Sequence, residues 1–354
     1  MTLTAPHSNA IGAMDLFPGI AAPLPDGRWR IQVMGQVRKP YQPTIRKRLL
    51  IRLLTNLMHA TEEEIDSPLF RSRVEPFVSD GWSGVELVCH IGGREIPLAR
   101  PTKRNGHFGG WVVVDSATAD RAQRGDLNGS WICYEIRPRD VAREFPDLVG
   151  SGQALALNPA GCSVVSDVDD TIKETVISER RQLLANTFLR EFREIEGMSA
   201  LYRNWLQFGA SFHYVSSSPW QLFGPLWQML SSSQFPLGSI HLRSFRLRNH
   251  VLQRMIRIRR SGKSRAIAEL IRSIPGRQFV LVGDSGEKDL EIYAKVAVRC
   301  PSQVRAIFIR NLPGHEVSER RLERAVRRIS GVHCETFEDA SQLDKLSRSV
   351  FEPE

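Results

Sequence analysis

From about residue 160 onward, short runs of Val, Ile and Phe alternate with longer stretches of helical periodicity. That alternation restricts the fold more than any other feature of the chain. "CSVVS", "ASFHYVSSS", "GSIHLRSF", "RQFVLVG" and "VRAIFIRN" read as five strands. Between them lie the helical stretches "ERRQLLANTFLREFREI", "PWQLFGPLWQMLS", "KSRAIAELIRSI" and "EKDLEIYAKVA", and "ERRLERAVRRISG" follows the last strand before an acidic tail. In the third helix Ile267, Leu270, Ile271 and Ile274 make one apolar stripe that Pro-Gly stops. Strand then helix, repeated, is the pattern of a parallel sheet, because parallel neighbours need a long return connection. The expectation is an α/β fold with a doubly wound parallel-sheet domain over residues 160–345.

The N-terminal part has a different texture. Residues 27–140 carry "RWRIQVMGQV", "GVELVCHI", "REIPLA", "GGWVVVDS" and "GSWICYEIRP", short strands separated by Gly, Asn and Asp, as in a small sandwich-like β-rich module. One helix interrupts it. In "TIRKRLLIRLLTNLMHATEEE" the residues Ile45, Leu49, Leu53, Leu54 and Leu57 recur at helical spacing, with Arg46, Lys47, Arg48 and Arg52 mostly on other faces. Such a helix can lie on an anionic membrane surface, although an apolar helix face more commonly covers a sheet. Residues 1–26, rich in Pro, Gly and Ala, read as a flexible leader without the features of a signal peptide.

No apolar run approaches the ~20 residues that cross a bilayer. Five cysteines, odd in number and without a CxxC, argue for free thiols in a reducing compartment, and hence for a cytoplasmic protein. The formal net charge of +9 calls for an anionic partner. Between Glu196 and Glu269 the chain has no acidic residue, yet it carries Arg203, Arg243, Arg246, Arg248, Arg254, Arg257, Arg259, Arg260, Lys263 and Arg265. A solvated basic face is the ordinary meaning of a charge run, but this run lacks the interspersed acids of an ordinary surface.

In an open parallel sheet, ligands gather beyond the carboxyl ends of the strands. Just past those ends come Asp167 and Asp169, then Ser216, Ser217 and Ser218, then Asp284 with Asp289 one turn into the next helix. Lys263 opens the helix before the "RQFVLVG" strand. Four segments distant in sequence thus bring groups suited to phosphate chemistry to one rim. Taken singly each has a plainer meaning: an Asp-Asp-Thr turn, a capping serine, a solvated lysine. Trp220, Phe223 and Trp227 read as core, and His213 and His241 as satisfied structural histidines.

The four segments together resemble the motifs of the haloacid dehalogenase-like phosphatases: DxDx[TV] at Asp167 to Thr171, a strand-end Ser in "YVSSSP", Lys263, and GDxxxxD from Gly283 to Asp289. The longer strings "SDVDDTIKET", "YVSSSPWQL" and "LVGDSGEKDLEIY" resemble the catalytic domain of the actin-patch-associated phosphatidate phosphatase family, relatives of the lipins, over about Cys162 to Leu312. The N-terminal module is similar, less specifically, to the region preceding that domain in bacterial members. The resemblance implies a Mg²⁺-dependent phosphomonoester hydrolase that converts phosphatidate and water to diacylglycerol and phosphate through an aspartyl-phosphate. Asp167 would be the nucleophile and Asp169 the general acid and base. Lys263 would neutralise the phosphoryl oxygens, and Ser216 would hold the transferring phosphate. Mg²⁺ would take Asp167, Asp284 and the Asp169 main-chain carbonyl, with Asp289 orienting Lys263 or a metal-bound water. A dication among these acids converts their mutual repulsion into attraction.

Only 45 positions separate Thr171 from Ser216, and about 15 residues precede Lys263 after the third strand, so neither gap holds a substantial cap domain. An open, basic site suits phosphate displayed on something large. An anionic phospholipid or membrane surface is the first expectation, with the protein peripheral to it. Nucleic-acid ends or phosphoproteins are the alternative substrates, and a non-catalytic phospholipid-binding protein is the alternative class. No aromatic-rich or zinc-finger string supports nucleic acid.

Overall fold

A computed structural model describes residues 12–126, 129–139, 148–175, 180–243, 261–327, 329 and 331–351. The arginines from Arg246 to Arg260 in the basic run fall outside the described residues. The chain divides into two compact units, residues 1–158 and 159–354.

The first unit is built on one nine-stranded sheet. Its strands are β1 (Ala13–Phe17), β2 (Gly19–Pro23), β3 (Trp29–Arg38), β4 (Leu87–Ile91), β5 (Arg94–Pro97), β6 (His107–Val114), β7 (Gln123–Asp126), β8 (Gly129–Pro138) and β9 (Gly150–Ala156). Their order is β1-β3-β2-β9-β8-β4-β5, with β6 on β3 and β7 on β8, and all pairs but β2–β9 are antiparallel. Alternation sets the faces: in β4 Leu87, Cys89 and Ile91 are buried while Val88 and His90 are half-buried. Four helices accompany the sheet: α1 (Ile45–Met58), α2 (Glu62–Asp66), α3 (Pro68–Val78) and α4 (Ser116–Ala122). Thr44 caps α1 through Lys47 N, and His59 ends it in a left-handed conformation.

Two expectations for this unit change. Within residues 13–23, expected to belong to the flexible leader, β1 and β2 form and pair antiparallel with the two ends of β3. The apolar positions of α1 do not cover the sheet as a group. Leu54 is buried, whereas Ile45, Leu49, Leu53 and Leu57 are exposed.

The second unit holds a six-stranded sheet, all parallel: β10 (Cys162–Ser166), β11 (Ser211–Pro219), β12 (Ser239–Arg243), β13 (Gln278–Asp284), β14 (Val304–Arg310) and β15 (His333–Phe337), in the order β12-β11-β10-β13-β14-β15. Among the described residues its α-helices are α5 (Arg180–Phe188), α6 (Met198–Gln207), α7 (Phe223–Ser232), α8 (Ser261–Ser273), α9 (Asp289–Arg299), α10 (Glu319–Val326) and α11 (Asp344–Phe351). Every residue of β10 is buried, as a central strand covered on both faces requires. The chain lays β11 and β12 on one side of β10, then crosses back to place β13 on the other. The strand order therefore reverses between β10 and β13.

Two stretches depart from the sequence pattern. "ERRQLLANTFLREFREI" was expected to be one helix, but α5 ends at Phe188. The remainder is drawn out to bond the loop after β10: Glu174 N donates to Arg193 O (2.9 Å) and Ile195 N to Ile172 O (3.0 Å). Tertiary pairing outweighs helical propensity there. A separate helix, α6, then starts after Gly197 and buries Met198, Leu201, Tyr202 and Trp205. The sixth strand, β15, comes from "HCETF", whose polar residues hid it from a search for apolar runs.

The amino ends of the strands are tied by a buried polar network. Arg277, 3% exposed, donates to the carbonyls of Ala160 (2.8 Å) and Cys162 (2.6 Å) and to the hydroxyls of Ser163 (3.0 Å) and Ser211 (3.2 Å). His213 sits between the Ser239 (2.7 Å) and Ser163 (3.1 Å) hydroxyls, and His241 bonds Ser239 (2.9 Å), so both histidines have structural partners. Arg277→Ala strands these acceptors and is expected to cost about 2–4 kcal/mol. Urea unfolding of the variant beside the parent checks this, and a loss below about 1 kcal/mol would show that water replaces the guanidinium.

Candidate active site

The reversal point of the parallel sheet brings the acids together. Asp167 follows β10 directly, and its amide donates to the Val282 carbonyl of β13 (2.8 Å), so the two strand ends stay in register. Asp284 is the last residue of β13, and Asp289 opens α9. Asp167, Asp284 and Asp289 are 2%, 0% and 0% exposed, and one oxygen of each lies within 4.8 Å of the others. Lys263, on α8, spans them: its Nζ donates to Asp167 Oδ1 (2.5 Å) and Asp289 Oδ1 (2.6 Å) and lies 3.7 Å from Glu287 Oε2. Gly283 makes the approach possible, because a Cβ there would stand 2.3 Å from Asp289 Oδ2 and 2.8 Å from the Tyr293 ring.

One ammonium does not balance this many buried carboxylates. Burial raises Asp167 well above the usual carboxylate range, and Asp289, Glu287 and Asp284 raise it further against the pull of Lys263. Burial, then Asp289, pushes Asp284 up to about 7. Lys263 is held well above its ordinary value, since Asp167 and Asp289 outweigh the cost of burying the cation. Asp284 Oδ1 accepts from the amides of Gly286 (2.8 Å) and Glu287 (2.9 Å), whereas its Oδ2 is buried with no partner among the described residues. Three clustered carboxylates, a deficit of positive charge and an unpartnered buried oxygen fit a hard divalent cation with oxygen ligands.

Asp169 belongs to a second, adjacent cluster. Its Oδ2 accepts from the hydroxyls of Ser216 (2.9 Å) and Ser218 (2.8 Å), and its Oδ1 from Thr175 Oγ1 (2.9 Å) and Lys173 Nζ (2.8 Å). Burial pushes this carboxyl up, but Lys173 and the hydroxyls outweigh it and hold the group well below the usual range. Asp169 is therefore a caged carboxylate whose side chain stands outside the three-acid group. Ser216 spends its hydroxyl proton on Asp169 and accepts from Ser218 N (2.9 Å).

The loop between the clusters is a tight wrap. The Val168 carbonyl accepts from the amides of Thr171 (3.3 Å), Ile172 (3.0 Å) and Lys173 (3.0 Å), and Asp170 takes the left-handed φ of 55° that closes it. Arg310 Nη1 holds the Asp170 carbonyl (3.0 Å), and Asp170 Oδ1 accepts from Thr175 N (2.8 Å). Thr171 Oγ1 reaches Asp167 Oδ2 (3.2 Å).

The structure thus unites Asp167, Lys263, Asp284 and Asp289 in one cluster and Asp169 with Ser216 in the next. Sequence reasoning missed the roles of Lys173, Thr175 and Ser218. The i,i+4 spacing from Asp169 to Lys173 was the available signal for the first, and the two-residue spacing from Ser216 along β11 was the signal for Ser218.

Residues 162–311 match the family model described as phosphatidate phosphatase APP1, catalytic domain. An uncharacterized protein of Schizosaccharomyces pombe is 39% identical over 160 residues, which is 44% of this chain and 26% of that one. Phosphatidate phosphatase APP1 of Saccharomyces cerevisiae is 34% identical over 171 residues, 45% of this chain and 29% of that one. The matched stretches span little more than a quarter of either relative. Among solved structures, a PilB minor pilin of Streptococcus sanguinis aligns over 75% of this chain and 87% of its own, with a TM-score of 0.28 and 7% identity; so slight a likeness carries no argument.

Proposed function

We propose, from the membership of residues 162–311 in the family of phosphatidate phosphatase APP1 catalytic domains and from the site they form, that the chain is a phosphomonoester hydrolase acting on phosphatidate. The parallel domain would be a doubly wound, haloacid dehalogenase-like fold without a large cap, preceded by the β-rich module. The observation that carries the reading is the Asp167–Lys263–Asp289 bridge beside the unpartnered oxygen of Asp284.

In the first half-reaction a carboxylate oxygen of Asp167 forms a bond to phosphorus as the bond from phosphorus to the glyceride oxygen breaks, leaving an aspartyl-phosphate. Lys263 fixes one Asp167 oxygen and leaves the other only the Thr171 hydroxyl to give up. The departing alkoxide needs a proton, which Asp169 relays from a monoanionic phosphate ester. In the second half-reaction Asp169 takes a proton from water as the water oxygen attacks phosphorus and the bond from phosphorus to Asp167 breaks; that proton then passes from Asp169 to the departing phosphate, restoring both carboxylates. The Lys173 cage suits that step, since it keeps Asp169 ionised. Asp167 and Asp284 would hold Mg²⁺ with the Asp169 main-chain carbonyl, Asp289 being committed to Lys263. When bound, the ion supplies Lewis-acid neutralisation of the phosphoryl oxygens.

The five free thiols support a reducing compartment, which we take to be the cytoplasm. No helix among the described residues is long and apolar enough to cross a membrane.

Phosphate release from phosphatidate in mixed micelles, with Mg²⁺ or chelator, tests the reading. Parallel reactions hold a 5′-phosphorylated oligonucleotide and a phosphopeptide. Release from phosphatidate should require Mg²⁺ and fall by about 10²–10⁴-fold in Asp169→Asn. Release confined to another substrate would keep the chemistry and discard the lipid.

A further inference from the structure

Helix α1 has two apolar sides. Leu54, Thr55 and Met58 are buried, with Leu50 and Ile51 half-buried next to them. Ile45, Leu49, Leu53 and Leu57, four residues apart, are 85%, 66%, 47% and 43% exposed. Tyr41 (40% exposed) stands just before the helix with Lys47 Nζ 5.3 Å from its ring centre. Five of the nine exposed large hydrophobic side chains among the described residues thus fall within residues 41–57. That concentration is a patch, unlike the scattered apolar side chains normal on a protein surface.

Along this stretch of the chain the charge has one sign. Between Asp26 and Glu62 the chain has eight Arg and Lys and no acid. Lys47 is spent on Asp80 and Arg38 on Asp15. Arg48 and Arg52 are exposed and have no ion pair among the described residues. At about 100° per residue they lie along one border of the row made by Ile45, Leu49 and Leu53. The acids of α2 begin only beyond His59, whose left-handed cap ends the helix.

We propose that α1 is a docking helix that lays this row into the headgroup–acyl boundary of an anionic bilayer. An in-plane helix that buries an aliphatic face and sets cations at headgroup level is held by both. A second copy of the chain fits less well, because two such faces would bring arginine against arginine with no acid on either α1 to answer it. The inference does not rest on the phosphatase reading.

Flotation with phosphatidylcholine vesicles, with and without phosphatidylserine, tests it, since neither lipid is a phosphomonoester. The parent should float with phosphatidylserine vesicles and lose binding as salt rises. Leu49→Ser with Leu53→Ser, and separately Arg48→Ala with Arg52→Ala, should each weaken binding by about tenfold or more. Both pairs are exposed, so thermal melts should match the parent. Leu53→Trp keeps the face apolar and should show blue-shifted emission only with the anionic vesicles. A parent that stays unbound, or a serine pair that floats as well as the parent, overturns the proposal. So does a dimer on size exclusion that the serine pair dissociates, which would assign the face to a second copy. All variants should hydrolyse soluble p-nitrophenyl phosphate like the parent. Failure of every protein on that substrate would count against the phosphatase reading and leave docking untouched.

Discussion

If Asp167 is the nucleophile, as proposed, Asp167→Asn is expected to lower phosphate release by at least about four orders of magnitude. The same substitution should leave the metal-free fold at pH 8 as stable as the parent or more so. Activity and stability part company because Asp167 is a buried carboxylate already held well above its usual range by burial and by its acidic neighbours. An amide removes one unbalanced charge, while Lys263 keeps Asp289 at 2.6 Å. Lys263→Met should lose on both counts. It leaves Asp167, Asp284 and Asp289 buried without their ammonium, at about 3–5 kcal/mol of stability. Single-turnover phosphate release and urea unfolding in chelator measure the two effects. An Asp167→Asn protein within tenfold of parental turnover would move the nucleophile elsewhere. A Lys263→Met protein as stable as the parent would mean that the acids are not short of cations.

The parallel sheet was readable because β10, β11, β13 and β14 are mostly buried, and each shows a short run rich in Val, Ile, Phe or Tyr. β15 lacks that signature at the sheet edge, where one side pairs only with β14, so its Glu335 and Thr336 are tolerated. The break after Phe188 had no local cause at all; it comes from Ile172 and Glu174, which lie closer in space than in sequence. Asp167 and Asp284 were legible as strand-end residues, and Asp289 and Lys263 as residues near the starts of neighbouring helices. The cage around Asp169 was not, since it depends on which serine of three turns inward. Ser216 and Ser218 sit two apart on β11, and the hydroxyls of both reach Asp169 Oδ2. That two-residue spacing was available, and it could have separated Ser218 from its neighbour once Ser216 was chosen.

In chelator, stability should fall as pH rises from about 4 to about 7, the reverse of the usual gain on leaving acid. Burial, and then Asp289, lift Asp284 from its ordinary 3.8 to about 7 in the folded protein. A carboxyl with a raised folded pKa binds its proton more tightly when folded. That contribution is whole below the unfolded pKa and is lost as pH climbs through the folded one. Asp284 and the carboxylates it titrates with together account for a loss on the order of a few kcal/mol across the interval, at about 1.4 kcal/mol per pH unit. Asp167 moves in the same direction, chiefly through burial. Asp169 moves the other way: Lys173 depresses it, so its contribution stands above the unfolded pKa and fades only in stronger acid, outside this window. Where the proton has left Asp284, a divalent cation can take its place, and binding to the folded state alone raises stability by mass action. Mg²⁺ should therefore raise the melting temperature by several degrees at pH 8 and by little at pH 5, and Asp284→Asn should flatten both the pH slope and the Mg²⁺ response. Equal Mg²⁺ shifts at the two pH values would place the ion away from these carboxylates. A flat profile in chelator would mean that the acids find another counter-charge, and the case for a metal at this rim would go with it.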